Sequence, residues 1–191
     1  MTKVIRLFEK NGLVDDSNRE IITFGLNKLV GTLLMLCFTI FIACLFGDFL
    51  VGVLFEVGFI ALRRFVGGYH AETQRKCLVL TYISTFLCVT AIFFVPINFY
   101  IMGIIIVLFN VAVFYRAPIE NKNKPLSATE KKIYRRKAIL ISVLLSVLFF
   151  AFNYTKMYIY SKTIFVLMLL VLAGMFDVKA VFEKNESITK R

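Results

Sequence analysis

His70 and Cys77 are the side chains of this sequence whose types and setting can support covalent chemistry. His70 is the single histidine among 191 residues, and of the four cysteines Cys77 alone stands outside a long apolar run. Gly67-Gly68 precede the pair, and Arg63, Arg64, Arg75 and Lys76 surround it with positive charge. A cysteine nucleophile needs a thiolate and a nearby base. Cys77 is expected in the first turn of a helix, where the positive end of the helix dipole favours a thiolate. Seven residues of straight helix return to nearly the same face but rise about 10.5 Å, too far for a His–Cys hydrogen bond. A working dyad therefore requires the helix to begin after His70, so that the imidazole folds back over its start. Gly67-Gly68 supplies the freedom for that reversal. A continuous helix from Arg64 to Cys77 counts against the mechanism.

On residue chemistry alone, the same segment also reads as a charged loop beside a membrane. No metal is expected, because zinc needs three or four protein ligands and there is no second histidine. No cofactor is expected either. Glu72 and Glu56 are candidate polar partners for the pair.

The elements that must position this segment are apolar. Hydrophobic residues make up 59% of the chain and charged residues 18%, with mean hydropathy +0.80. Soluble domains carry about 25% charge, so the composition points to an all-α integral membrane protein. The net charge of +11 would suggest nucleic acid in a soluble chain. Here it is better explained by basic cytoplasmic loops, and no nucleic-acid partner is expected. The N-terminus is charged through Glu20 and lacks an early apolar stretch, so insertion is expected to rest on internal spans. Cys37, Cys44 and Cys88 lie in apolar stretches, where a thiol behaves as a small hydrophobe, and no disulfide framework is expected.

About six spans are expected, at 29–46, 49–62, 78–95, 97–115, 138–155 and 157–176, in a single membrane-embedded domain over 1–191. Each long span approaches the roughly 20 residues needed to cross the hydrocarbon layer. Before them, Val4, Ile5, Leu7 and Phe8 suit an amphipathic turn, and Ser17-x-x-Glu20 reads as a capping box. Gly47-Asp48 and Pro96 mark tight hairpins, and 116–137 reads as a polar loop. The second span is short and carries Glu56, which must face other helices or a cavity because lipid disfavours it by several kcal/mol. Four full spans with two re-entrant segments is the competing arrangement.

Charge counting orients the six-span scheme. Of the 23 Lys and Arg residues, 21 fall on the side of the N-terminus, the 63–76 segment, the 116–137 loop and the tail. The positive-inside bias puts that side, with both termini and the His70–Cys77 segment, in the cytoplasm of a cell-membrane protein. Lys131, Lys132, Arg135, Arg136 and Lys137 then serve as a topology signal and contact anionic lipid, with a substrate-tail contact as second role. Lys156 and Lys162 are expected to snorkel to the opposite interface. Asn110 and Asn153 are candidate interhelical hydrogen-bond partners.

The pattern Arg63-Arg64…Gly67-Gly68-x-His70-Ala71…Cys77 resembles the signature of the accessory gene regulator B family. Ala117-Pro118…Asn123-Lys124-Pro125-Leu126 resembles the family's proline-containing loop, and Phe24-Gly25-Leu26 its segment before the first span. Length and span count fit as well. The resemblance implies a membrane cysteine endopeptidase of Gram-positive quorum sensing that processes a small AgrD-type propeptide into a cyclic thiolactone or lactone signal. It assigns Cys77 as nucleophile and His70 as base, with Arg63, Gly67 and Gly68 as supporting motif positions. The chain departs from the pattern at Asn27, where the family carries Glu or Gln. Asn27, Glu72 and Glu56 are the candidates for a third polar residue.

The reading from a different class is a non-catalytic membrane transporter or scaffold for a peptide, with Glu56 and the central segment as gate or binding elements. Insensitivity to thiol alkylation distinguishes it from the peptidase. The expected partners are the precursor peptide and membrane lipids, and a homodimer is one assembly the sequence leaves open.

Overall fold

The computed structural model describes residues 19–68, 74–119 and 126–176. The N-terminal amphipathic turn, Ser17 of the first capping box, His70, Glu72, Pro125 and the tail from Asp177 lie outside the described residues. Six helices follow one another: α1 Arg19–Leu45, α2 Phe49–Val66, α3 Gln74–Phe94, α4 Phe99–Arg116, α5 Ala128–Tyr154 and α6 Tyr158–Met175. Among the described residues there is no strand, and the one extended pairing is an isolated parallel bridge between Gly67 and Ile119. The all-α architecture expected from composition is therefore present, with one helix for each expected span.

Five of the six helices are long and apolar enough to cross a membrane. The exception is α2, which has 18 residues but carries Glu56, Arg63 and Arg64.

Local chemistry explains most helix ends. Gly47 at φ +92° turns the chain after α1, and Asp48 caps α2 by accepting from the N–H groups of Leu50 at 3.0 Å and Val51 at 3.4 Å. After α3, the turn through Pro96 leads to Asn98, whose side chain accepts from the Tyr100 N–H at 2.8 Å. The largest departure from the sequence reading is at α5, which begins at Ala128 rather than near Ala138. Ser127 and Glu130 form a reciprocal capping box, Glu130 N–H to Ser127 Oγ at 3.3 Å and Ser127 N–H to Glu130 Oε2 at 2.9 Å. Hydropathy marks where the apolar stretch starts, whereas the cap marks where the helix starts, so the basic run 131–137 is helical rather than a loop.

By their contacts the residues fall into two compact units, Met1–Phe38 and Thr39–Arg191. The described part of the first is α1 as far as Phe38, which exposes Ile21, Phe24, Leu29, Leu33 and Leu34. Outward apolar side chains suit a lipid surround, which leaves backbone groups to bond within the helix.

In the second unit α6 is the central element, packing on α2, α3, α4 and α5. It buries Ile164 through Met168 as a continuous run. In a bilayer such packing rests on close contact rather than on expulsion of water. Small residues permit it: a Cβ on Gly52 of α2 would stand 2.8 Å from the Ile40 Cα, and one on Gly58 would stand 3.0 Å from Leu167 Cδ2. Lys162 of α6 donates to the carbonyls of Ile92 at 2.7 Å and Val95 at 2.9 Å, satisfying the C-terminal end of α3. Its ammonium is thus engaged by a helix end.

Candidate functional site: the end of α2 and the start of α3

The helical chain is interrupted at Gly67-Gly68, where the sequence reading expects a break. α2 stops at Val66, its Gly67 N–H closing on the Arg63 carbonyl at 3.2 Å, and α3 starts at Gln74. Gly67 and Gly68 both have positive φ, +82° and +131°, in the region that favours glycine. Each glycine also admits a neighbour. The Ile119 N–H donates to the Val66 carbonyl at 2.8 Å, and a Cβ on Gly67 would collide with the Ile119 carbonyl oxygen. A Cβ on Gly68 would stand 2.8 Å from the Gly174 carbonyl oxygen near the end of α6.

Cys77 is the fourth residue of α3 and is half-buried. Its carbonyl accepts from the Thr81 hydroxyl at 2.8 Å, which leaves the thiol uninvolved in that bond. The Arg63 guanidinium is carried by the last turn of α2. The same guanidinium lies 5.9 Å from the Phe59 ring centroid, one turn earlier on its own helix. Cys77 thus stands in the first turn of α3, and Arg63 on the last turn of α2.

A basic and aromatic rim surrounds this end of the bundle. Phe65 of α2 meets the Tyr134 ring edge-on at 5.4 Å, and Lys137 Nζ lies 5.3 Å from the Phe65 ring centroid. Arg135 donates to the Phe114 carbonyl at 2.9 Å and lies over the Phe114 ring at 5.4 Å. Arg116 lies 4.8 Å from the Phe176 centroid. The start of α5 is thereby joined to the motif on α2 and to the end of α4, which in turn meets Phe176 after α6. Lys131, Lys132, Arg135 and Arg136 are all exposed on it.

Glu56 belongs to the interior of the second unit instead. Glu56 is buried, 2% exposed, and accepts from the Thr39 hydroxyl at 2.9 Å. Seven residues of α2 separate it from Arg63, a rise of about 10.5 Å. It is an interior polar pair between α1 and α2. Asn27 is exposed on α1. Asn110 donates to Ser146 Oγ of α5 at 2.8 Å, the interhelical bond expected of it. Sequence reasoning overlooked Ile119 and Gly174, and nothing local marks either one. It also overlooked Ser127, which its S-x-x-E spacing does mark.

The accessory gene regulator B family model matches residues 1–176. An AgrB-like protein of Clostridium perfringens strain SM101 is 34% identical over 143 residues, covering 71% of this chain and 66% of the relative. AgrB-like protein 2 of Clostridium perfringens strain 13 is 31% identical over 143 residues with the same coverage. AgrB-like protein 1 of that strain is 26% identical over 130 residues, covering 68% of this chain and 64% of the relative. The matched stretch thus spans just under two thirds of the length of these curated relatives. No solved structure matches. With its signature residues at a helix break and its apolar helices making it a multi-pass membrane protein, the chain belongs to the accessory gene regulator B family.

Proposed function

We propose that the protein is a membrane cysteine endopeptidase that cleaves the C-terminal part of a small AgrD-type propeptide and closes the remainder into a ring. The observation that carries this reading is the setting of Cys77: first turn of α3, after the interruption at Gly67-Gly68, with Arg63 on the last turn of α2. Family membership supports it. The Cys77 thiolate attacks a backbone carbonyl of the precursor, and the C–N bond breaks. His70, having taken the thiol proton, returns it to the departing amine. The C-terminal tail leaves and an acyl-enzyme thioester remains.

Attack by water would yield a linear product. Attack by a precursor Cys thiol or Ser hydroxyl closes the ring and regenerates Cys77. Exchange of one thioester for another is nearly balanced, so the intermediate must be kept from water. A site among helix ends at the cytoplasmic face of the cell membrane suits that requirement. The exposed cations of α5 attract an acidic precursor tail or anionic headgroups.

Co-expression with the precursor tests the reading, with products identified by mass spectrometry. Cys77→Ala and His70→Ala are expected to abolish cleavage while the protein stays inserted. Cys37→Ala, Cys44→Ala and Cys88→Ala are expected to retain it. Cleavage by Cys77→Ala would overturn the assignment and favour a transporter or scaffold.

A further inference from the structure

The apolar girdle of the second unit is short, and its borders are marked by side chains that avoid hydrocarbon. On α4, Tyr100 and Tyr115 are each 77% exposed, and no charged residue lies between them. Exposed tyrosines gather at the level of the headgroups, with the ring in the apolar layer and the hydroxyl in the wet one. The helical rise from one to the other is about 22 Å. On α5, Lys137 and Tyr154 are both exposed, the latter 90%, and lie about 26 Å apart along the axis. α2 runs about 22 Å from its Asp48 cap to Arg63. On α3, the exposed Lys76 stands about 24 Å from Ile92, whose carbonyl accepts from the Lys162 ammonium. Four helices thus agree, and any tilt shortens each projection further. An ordinary hydrocarbon layer is about 30 Å thick.

We propose that this girdle is built for a thin bilayer and preferentially takes phospholipids with short acyl chains as its neighbours. α4 sets the limit, because tyrosine lacks the long stem with which lysine snorkels to a more distant interface. Longer chains at Tyr100 and Tyr115 would sink two phenols into hydrocarbon, where their hydroxyls find no water. The penalty grows with each ångström of mismatch, and it selects among the lipids that can adjoin the helix. A thin layer also suits α2, whose Asp48 and Arg63 ends then stay out of the hydrocarbon. The inference concerns the lipid partner and holds whatever chemistry Cys77 performs.

The chain contains no tryptophan, so Val107→Trp supplies a single fluorescent reporter. Val107 lies midway between Tyr100 and Tyr115 and is 58% exposed, so the indole projects into lipid without repacking the bundle. The full-length protein is reconstituted in phosphatidylcholines with one double bond per chain and from about 14 to about 22 carbons. Each lipid competes with a brominated phosphatidylcholine of about 18 carbons, and quenching of the indole reads their relative affinity. Affinity is expected to be greatest at about 14–16 carbons and to fall about three- to tenfold by the longest chain. Tyr100→Leu/Tyr115→Leu with the same reporter is expected to move the optimum to longer chains. The inference is overturned by equal affinity across the series, by an optimum at about 18 carbons or longer, or by an unmoved optimum in the double variant. Failure of the peptidase reading shows instead as cleavage by Cys77→Ala and leaves the lipid series unchanged.

Discussion

Val66 and Ile119, far apart in the chain, are joined by a backbone hydrogen bond: the Ile119 N–H donates to the Val66 carbonyl at 2.8 Å. This bond falls where α2 would otherwise end with free carbonyls. It ties the segment after α4 to the residue that precedes the Gly67-Gly68 break. The Ala117–Pro118 peptide just before Ile119 is cis.

Gly67→Ala is expected to break this junction. Its φ of +82° disfavours an L side chain by about 1–2 kcal/mol. The methyl would in addition meet the Ile119 carbonyl, which is backbone and cannot rotate away. The melting temperature in detergent should fall and cleavage should be lost. Gly103→Ala is the control, since nothing lies within 4 Å of its Cβ position. Removing a helix-interior glycine there is expected to be neutral or to stabilise by about 0.5–1 kcal/mol.

Glu56 and Thr39 form a buried pair, and its two members are expected to respond differently. Thr39→Val removes the donor at 2.9 Å and leaves the carboxyl without that bond, a loss of about 1–3 kcal/mol read as a lower melting temperature. Glu56→Gln retains an acceptor for the Thr39 hydroxyl and is expected to be close to neutral. Cleavage is expected in both variants, because the pair lies two turns of α2 below Arg63. Loss of cleavage in Glu56→Gln at unchanged melting temperature would instead place Glu56 in the chemistry.

The exposed cations at the start of α5 are expected to act on substrate capture rather than on bond breaking. Lys131→Gln/Lys132→Gln/Arg136→Gln in one chain should raise KM for the precursor and leave kcat little changed. The native KM should itself rise with salt, because exposed charges are screened over about 8–10 Å near physiological ionic strength. Arg135 is left in place because it holds the Phe114 carbonyl. An unchanged KM would assign these cations to lipid alone.

The sequence by itself determined the membrane class, six helices, the chain turns at Gly47-Asp48 and Pro96, and the break at Gly67-Gly68. These are local matters: hydropathy over one span, an Asp that caps the helix after it, glycines where φ turns positive. The early start of α5 was equally local, written in Ser127 and Glu130, but the apolar boundary ten residues later is the louder signal. What only the tertiary structure decided is which groups meet at the break. Ile119 fills the space Gly67 leaves, Gly174 fills the space beside Gly68, and Lys137 comes over Phe65. Glu56, ionisable and central in its helix, turned out to be paired with Thr39 rather than with the site. Such partners come from helices distant in the chain, brought together by the packing of α6 on its neighbours, and no local pattern specifies which ends will touch.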